Sequence, residues 1–354
     1  MELVTLLERI GEGPTAALFG MITGIIFGVA AQRSNFCLRA ATVEFARGQL
    51  GGKVAVWLLT FSTAVVWVQT AQLLGLFRAA DSRMMAVPGS WSGAVIGGLM
   101  FGVGMVLSRG CSGRLLVLAS TGNLRSVVSG LIFAVVAQMS LKGILSPTRD
   151  RLAGLWVTPG GENVSILDML RLPQWAGLVF GLGVAALALY LARRNRIGAR
   201  VLVFASGVGF AVAVGWVLTW TLAQVSFDPI PVTSATFSGP SANTLMFFLD
   251  RNAVLEFDVG LVPGVVIGAL IASLLAREFR WQAFDSVPVM RRSMIGAALM
   301  GFGAMLAGGC AIGAGVTGGS IFAGTAWLAL FCMWIGAVTT DFLVDQRRPA
   351  GIAA

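Results

Sequence analysis

The sequence predicts an all-α, polytopic membrane protein, a single domain of about nine transmembrane helices. Of its 354 residues, 56% are apolar and only 12% charged, and the mean hydropathy is +0.84, too little charge to clothe a soluble globule of this size. Apolar stretches of roughly 17 to 25 residues recur along the whole chain, each long enough to cross a hydrocarbon core of about 30 Å as a helix. A net charge of +9 would suit nucleic acid on a soluble chain. Here Lys and Arg gather in the loops between apolar stretches, the bias of an inner-membrane protein, so the partner they imply is the lipid bilayer and not nucleic acid.

The spans follow in order. "MELVTLLERIGEG" carries three Glu and one Arg, and no small-residue cleavage site follows it, so the first span, 14–32, is expected to insert uncleaved. A basic loop with Arg33, Arg39, Arg47 and Lys53 leads to the second, 53–77. The third, 91–107, ends in "SRGCSGR", and the fourth occupies 126–146. The fifth, 174–192, precedes the basic "ARRNRIGAR" loop and the sixth, 201–222. The polar segment "FDPIPVTSATFSGPSANTLMFF", with three Pro, leads to the seventh, 259–276; the eighth, 293–307, runs into a glycine-rich segment, and the ninth is 324–343. Nine spans put the termini on opposite sides. Of the 25 Lys and Arg, 17 fall on the side of the first loop and the C-terminus and 8 on the other, which predicts a periplasmic N-terminus and a cytoplasmic C-terminus.

The chain also resembles itself. Aligned without gaps, "IGGLMFGVGMVLSRGC" (96–111) and "IGAALMGFGAMLAGGC" (295–310) share seven of sixteen positions, including the terminal Gly-Cys. In the span count Cys111 follows the third span on one side and Cys310 the eighth on the other. The halves, about 14–146 and 201–343, are therefore expected to be antiparallel, an inverted repeat joined by the connector helix 174–192. "SRGCSGRLLVLASTGN" and "AGGCAIGAGVTGGS" are poor continuous helices too short to span again, and are expected to be re-entrant pore loops.

Four cysteines, Cys37, Cys111, Cys310 and Cys332, and no histidine exclude the usual zinc spacings and every His-based mechanism. Cys332, in the middle of an apolar stretch, reads as packing. Cys37, Cys111 and Cys310 each fall at a helix-breaking junction and are the candidate translocation residues. Gly97, Gly102, Gly296 and Gly301 suit close helix packing, whereas Gly110 and Gly309, just before the cysteines, would let backbone approach a permeating ion. Arg33, Arg39, Arg109, Arg114 and Arg125 surround the first-half cysteines, and some of them can draw an anion toward a pore. Asp341 and Asp345 read as interface residues, and no buried acid stands out. No phosphate-binding loop is present. A thiol is a weak donor and a soft, polarisable surface, which suits a sulfur-containing anion better than a hard, strongly hydrated ion. A thiol or persulfide sulfur-transfer protein and a Cu(I) transporter are the alternatives.

"QRSNFCLRAA", "SRGCSGR" and "LAGGCAIGAGVTGGS" resemble the three cysteine signatures of the YeeE/YedE family of sulfur-compound transporters, and the similarity runs over nearly the whole chain. The usual Gly-Gly-Cys of the first half reads Arg-Gly-Cys here, a departure at Arg109 that would alter the charge beside Cys111. The resemblance implies a cofactor-free importer, not an enzyme, of hourglass shape. In it thiosulfate would pass Cys37, Cys111 and Cys310 by transient hydrogen bonds from their thiols. It further implies a TusA-like cytoplasmic sulfur-carrier protein as partner and, in some relatives, selenium compounds as substrates.

Overall fold

The computed structural model describes residues 2–251, 253–284 and 286–346, so the C-terminus, with Arg347 and Arg348 of the charge count, lies outside the described residues. The regular elements are helical: α1 (Glu2–Ile10), α2 (Glu12–Ser34), α3 (Leu38–Ala46), α4 (Gly52–Leu73), α5 (Trp91–Leu107), α6 (Ser112–Ser120), α7 (Leu124–Lys142), α8 (Ser146–Ala153), α9 (Ile166–Met169), α10 (Trp175–Arg194), α11 (Ala199–Val225), α12 (Gly239–Leu249), α13 (Phe257–Leu275), α14 (Val287–Leu306) and α15 (Gly324–Thr340). Two wider π-helical turns, Gly313–Gly318 and Asp341–Gln346, flank α15.

Eight helical stretches are long and apolar enough to cross a bilayer, and they match eight of the nine expected spans. The remaining one, α14, has the length, twenty residues, but carries Arg291 and Arg292 near its start. Other differences are local. α1 was not anticipated. α4 stops at Leu73 because Gly75 takes a left-handed φ of +72°, and α7 stops at Lys142, before Gly143 and the Pro147 that opens α8. The glycine-rich segments are not irregular throughout: α6 is a nine-residue helix, and Gly313–Gly318 is a continuous turn.

The element order long, short, long, long, short, long appears twice, as α2 to α7 and as α11 to α14, Gly313–Gly318 and α15, with α10 between. Packing recurs in the same way. α2 lies on α13 as α11 lies on α4, α5 on α15 as α14 on α7, and α6 on α13 as Gly313–Gly318 on α4.

Glycines bring these helices together. Gly20, Gly24 and Gly28 of α2 face Gly260, Gly264 and Gly268 of α13, and a Cβ on Gly264 would lie 2.9 Å from Met21 Cα and 3.1 Å from Gly24 Cα. With no water to expel between them, membrane helices gain from van der Waals contact, which small residues at four-residue spacing maximise. In the α5–α14 pair Gly97 faces Gly303 and Gly104 faces Gly296, so the two run antiparallel with backbones in contact. Gly102 meets Met333 of α15, and Gly301 meets Phe133 of α7, its Cβ position 2.8 Å from the Phe133 carbonyl oxygen. The four glycines assigned to packing do pack.

Gly264→Ala is therefore expected to lower the melting temperature of the detergent-solubilised protein, by overpacking worth about 1–3 kcal/mol. Gly183→Ala, where no heavy atom lies within 4 Å of the added carbon, leaves it unchanged.

Candidate functional site

Each of the three candidate cysteines follows a left-handed residue by two positions. Asn35 (φ +52°), Arg109 (+59°) and Gly308 (+75°) turn the chain out of α2, α5 and α14. For an L-residue that conformation costs roughly 1–2 kcal/mol, least for Asn, and nothing for Gly. Two residues later the backbone is extended at Cys37 and Cys111, which head α3 and α6, while Cys310 heads the turn that becomes Gly313–Gly318. Gly313 N–H donates to Cys310 Sγ at 3.4 Å, while Cys37 and Cys111 accept no such capping bond from the helices they head.

The thiols are not evenly spaced along a path. Cys37 and Cys111 lie beside each other, each thiol acting on the other, although they come from different helix breaks. Cys310 stands apart, close enough to Cys111 for its charge to be felt there, and its Sγ also receives the Phe237 N–H at 3.4 Å. All four cysteines are free thiols; Cys37 is partly exposed, the others buried. Cys332 lies against α5, 2.9 Å from the position of a Gly98 Cβ, and takes no part in the cluster. Among the described residues no group of three or more His, Cys, Asp and Glu side chains is placed to hold a metal ion.

A cavity of about 340 Å³ opens on the side where α5 begins, at Gly89 and Ser90, with the exposed Arg83 on its wall. Its inner end is formed by the half-buried Thr236 and the buried Ser238, Gly313, Ala314 and Thr317. Cys310 sits just behind this end, its Sγ 4.0 Å from Thr236 Oγ1. Beyond it, Phe237 and Ile312 fill the space toward α6, 3.1 and 3.3 Å from the position of a Gly113 Cβ. The Cys37–Cys111 pair lies past this apolar layer, at the other end of α5.

The arginines divide sharply. Arg33 pairs with Glu278 (3.8 Å), Arg39 and Arg292 with Asp345 (3.6 and 2.8 Å), and Arg47 with Asp341 (3.2 Å). Asp341 is fully buried, contrary to the expectation of no buried acid, and Gln346 completes its hydrogen bonding. Arg109 is exposed, and its charge acts on Asp345 from the surface. Among the described residues Arg114 has no carboxylate partner. Its Nη2 donates to Asn35 Oδ1 at 3.1 Å, its Nη1 is buried without a partner, and its charge acts on the Cys37 sulfur.

Gly110 and Gly309 are not equivalent. A Cβ on Gly309 would collide with the backbone of its own loop, 2.7 Å from Ala314 N, whereas on Gly110 it would meet only the end of the Leu115 side chain at 3.3 Å. Thr236 and Ser238 at the cavity end were missed in the sequence. The available signal was "NFC" at 35–37 against "TFS" at 236–238, at corresponding places in the two halves. Maleimide labelling read by peptide mass spectrometry is expected to modify Cys37 fastest. Gly309→Ala raises the Cys310 rate at least several-fold, because the loop must open, and Gly110→Ala leaves the Cys111 rate unchanged.

Comparison with known proteins gives the family. The chain is 29% identical to the thiosulfate transporter TsuA of Escherichia coli (strain K12), over 93% of this chain and 95% of that protein. It is 26% identical to the thiosulfate transporter TsuA of Spirochaeta thermophila, over 93% of this chain and 99% of that protein. A family model described as sulphur transport matches residues 33–339, a stretch that holds all three cysteine-headed breaks. The chain thus belongs to the sulphur transport family, the YeeE/YedE proteins its cysteine motifs resemble, and is a multi-pass membrane transporter rather than an enzyme.

Proposed function

We propose that this protein imports thiosulfate, or a closely related sulfur-containing anion, across the inner membrane, with Cys310, Cys111 and Cys37 as successive contacts. The observation that carries the reading is the placement of three free thiols at the heads of short buried helices, one behind an open cavity and two beyond an apolar layer. Thiols donate weak hydrogen bonds, so an anion held by them is released as readily as it is bound. In this reading the halves are an inverted repeat, supported by the recurring element order and by the antiparallel contact of the corresponding helices α5 and α14. The two cysteine-headed segments are re-entrant pore loops entering from opposite faces. Gly309 shapes the outer loop and Gly110 gives close access beside Cys111. Arg114 and the exposed Arg109 give positive charge to the cytoplasmic side, where a TusA-like carrier takes the sulfur onward. Asp341 and Asp345 are held in ion pairs, and cytoplasmic consumption of the sulfur is enough to draw the anion inward.

The closeness of Cys37 and Cys111 favours one second reading, in which the thiolate of one attacks the outer sulfur of thiosulfate, the S–S bond of thiosulfate breaks to release sulfite, and the persulfide's outer sulfur is passed to a carrier thiol. Mass spectrometry after exposure to a sulfur donor separates the two: a stable added sulfur on Cys37 or Cys111 supports transfer, and its absence during active uptake supports the relay.

In a host that lacks sulfate uptake and grows on thiosulfate through this protein, Cys37→Ala, Cys111→Ala and Cys310→Ala are each expected to abolish growth. Cys332→Ala grows as the unaltered protein does. Full growth with all three relay cysteines replaced would end the relay reading.

A further inference from the structure

The two halves differ at one chemically telling place. In the first half the residue that heads the short helix α3 is Cys37, and its thiol meets Cys111. In the second half the residue that heads α12 is Ser238, and it meets Cys310 through Thr236: Ser238 Oγ lies 3.4 Å from Thr236 Oγ1, which lies 4.0 Å from Cys310 Sγ. A hydroxyl stands where the symmetry would put a thiol.

That serine does not do what a serine at a helix start ordinarily does. Ser90 and Asn123 accept an amide hydrogen bond from the first turns of α5 and α7, the usual stabilising role of a small polar residue at that position. Ser238 makes no such bond, is only 5% exposed, and lines the end of the 340 Å³ cavity together with Thr236. Beside it Gly239 and Pro240, the first residues of the eleven-residue α12, also line the cavity, but the Asp258 carboxylate lines it too, its Oδ2 3.6 Å from the position of a Gly239 Cβ, so the start of that helix already faces an acid and the hydroxyls are the donors left for an anion.

Hydroxyl groups give short, strong hydrogen bonds to charged oxygen, while thiols are weak donors suited to sulfur. We propose that Ser238, assisted by Thr236, is an outer subsite that holds the oxygen atoms of a sulfur oxyanion. This turns the anion's terminal sulfur toward Cys310 before it passes the Phe237–Ile312 layer. The inference rests on the transport reading above. It adds that the protein selects for anions carrying both oxygen and an exposed sulfur, and that the two-thiol site beyond the layer does not make this selection at the corresponding position.

The test is the initial rate of radiolabelled thiosulfate uptake into proteoliposomes holding the full chain. Ser238→Ala is expected to raise KM roughly ten- to hundredfold, the loss of a hydrogen bond to a charged group, with a smaller change in the maximal rate. Ser238→Cys keeps the shape and a weak donor, so its KM falls between those of the unaltered protein and Ser238→Ala, and it decides the matter if the alanine variant does not fold. An unchanged KM in the folded variants overturns the subsite while leaving transport intact. No uptake by the unaltered protein instead overturns the transport reading, and the subsite with it.

Discussion

A chain that ends a helix in an apolar protein interior releases amide and carbonyl groups where water is scarce, and each left unpaired there costs several kcal/mol. The whole architecture is arranged around that constraint. After the break at Arg109 the Gly110 amide returns to Met105 O at 3.1 Å, and after the break at Gly308 the Gly309 amide returns to Ala304 O at 2.9 Å. The far ends of the two short segments are closed by pairing with distant chain: Gln282 donates to Gly122 O and Leu124 to Gln282 O, while Ile166 donates to Phe322 O and Gly324 to Val164 O. Such pairings leave room for broken helices only because the surrounding long helices touch backbone to backbone through their glycines.

Charge follows the same economy. A basic protein could have turned every arginine on this side toward an anion, yet Arg33, Arg39, Arg47 and Arg292 are neutralised by acids brought from far along the chain. Asp345 serves both Arg39 and Arg292, and Asp341 takes Arg47 in a two-point contact. These pairs tie the end of α15 to α3 and α14, and so act as braces for the cysteine-bearing break at residue 37. A partly buried pair of this kind is far less sensitive to salt than an exposed one. What is left uncompensated near the sulfur atoms is Arg114, which makes the positive potential there local.

Much of this was legible in the sequence, and the remainder was hidden for identifiable reasons. Apolar length revealed eight of the spanning helices, and Gly-Cys at 110–111 and 309–310 revealed two breaks. The break before Cys37 is harder to read because Asn35, not glycine, adopts the left-handed turn. The meeting of Cys37 with Cys111 has no local signature, since it depends on how α3 and α6 are placed. Ser238 escaped because a search for thiols passes over an oxygen in the same position. Arg109 was noticed for its charge, but its backbone is the more consequential part: it occupies the left-handed turn that Gly308 occupies in the other half, and its side chain faces outward.

The apolar layer between Cys310 and the inner thiol pair has an electrical consequence. Phe237 and Ile312 are each at most 1% exposed, so the layer is close-packed and offers water no polar surface. Protons cross membranes along hydrogen-bonded water chains, and small inorganic ions cross with their hydration. A path interrupted by packed aromatic and aliphatic side chains conducts neither at rest. A solute that can shed water from its sulfur end crosses such a layer more cheaply than a fully hydrated ion does.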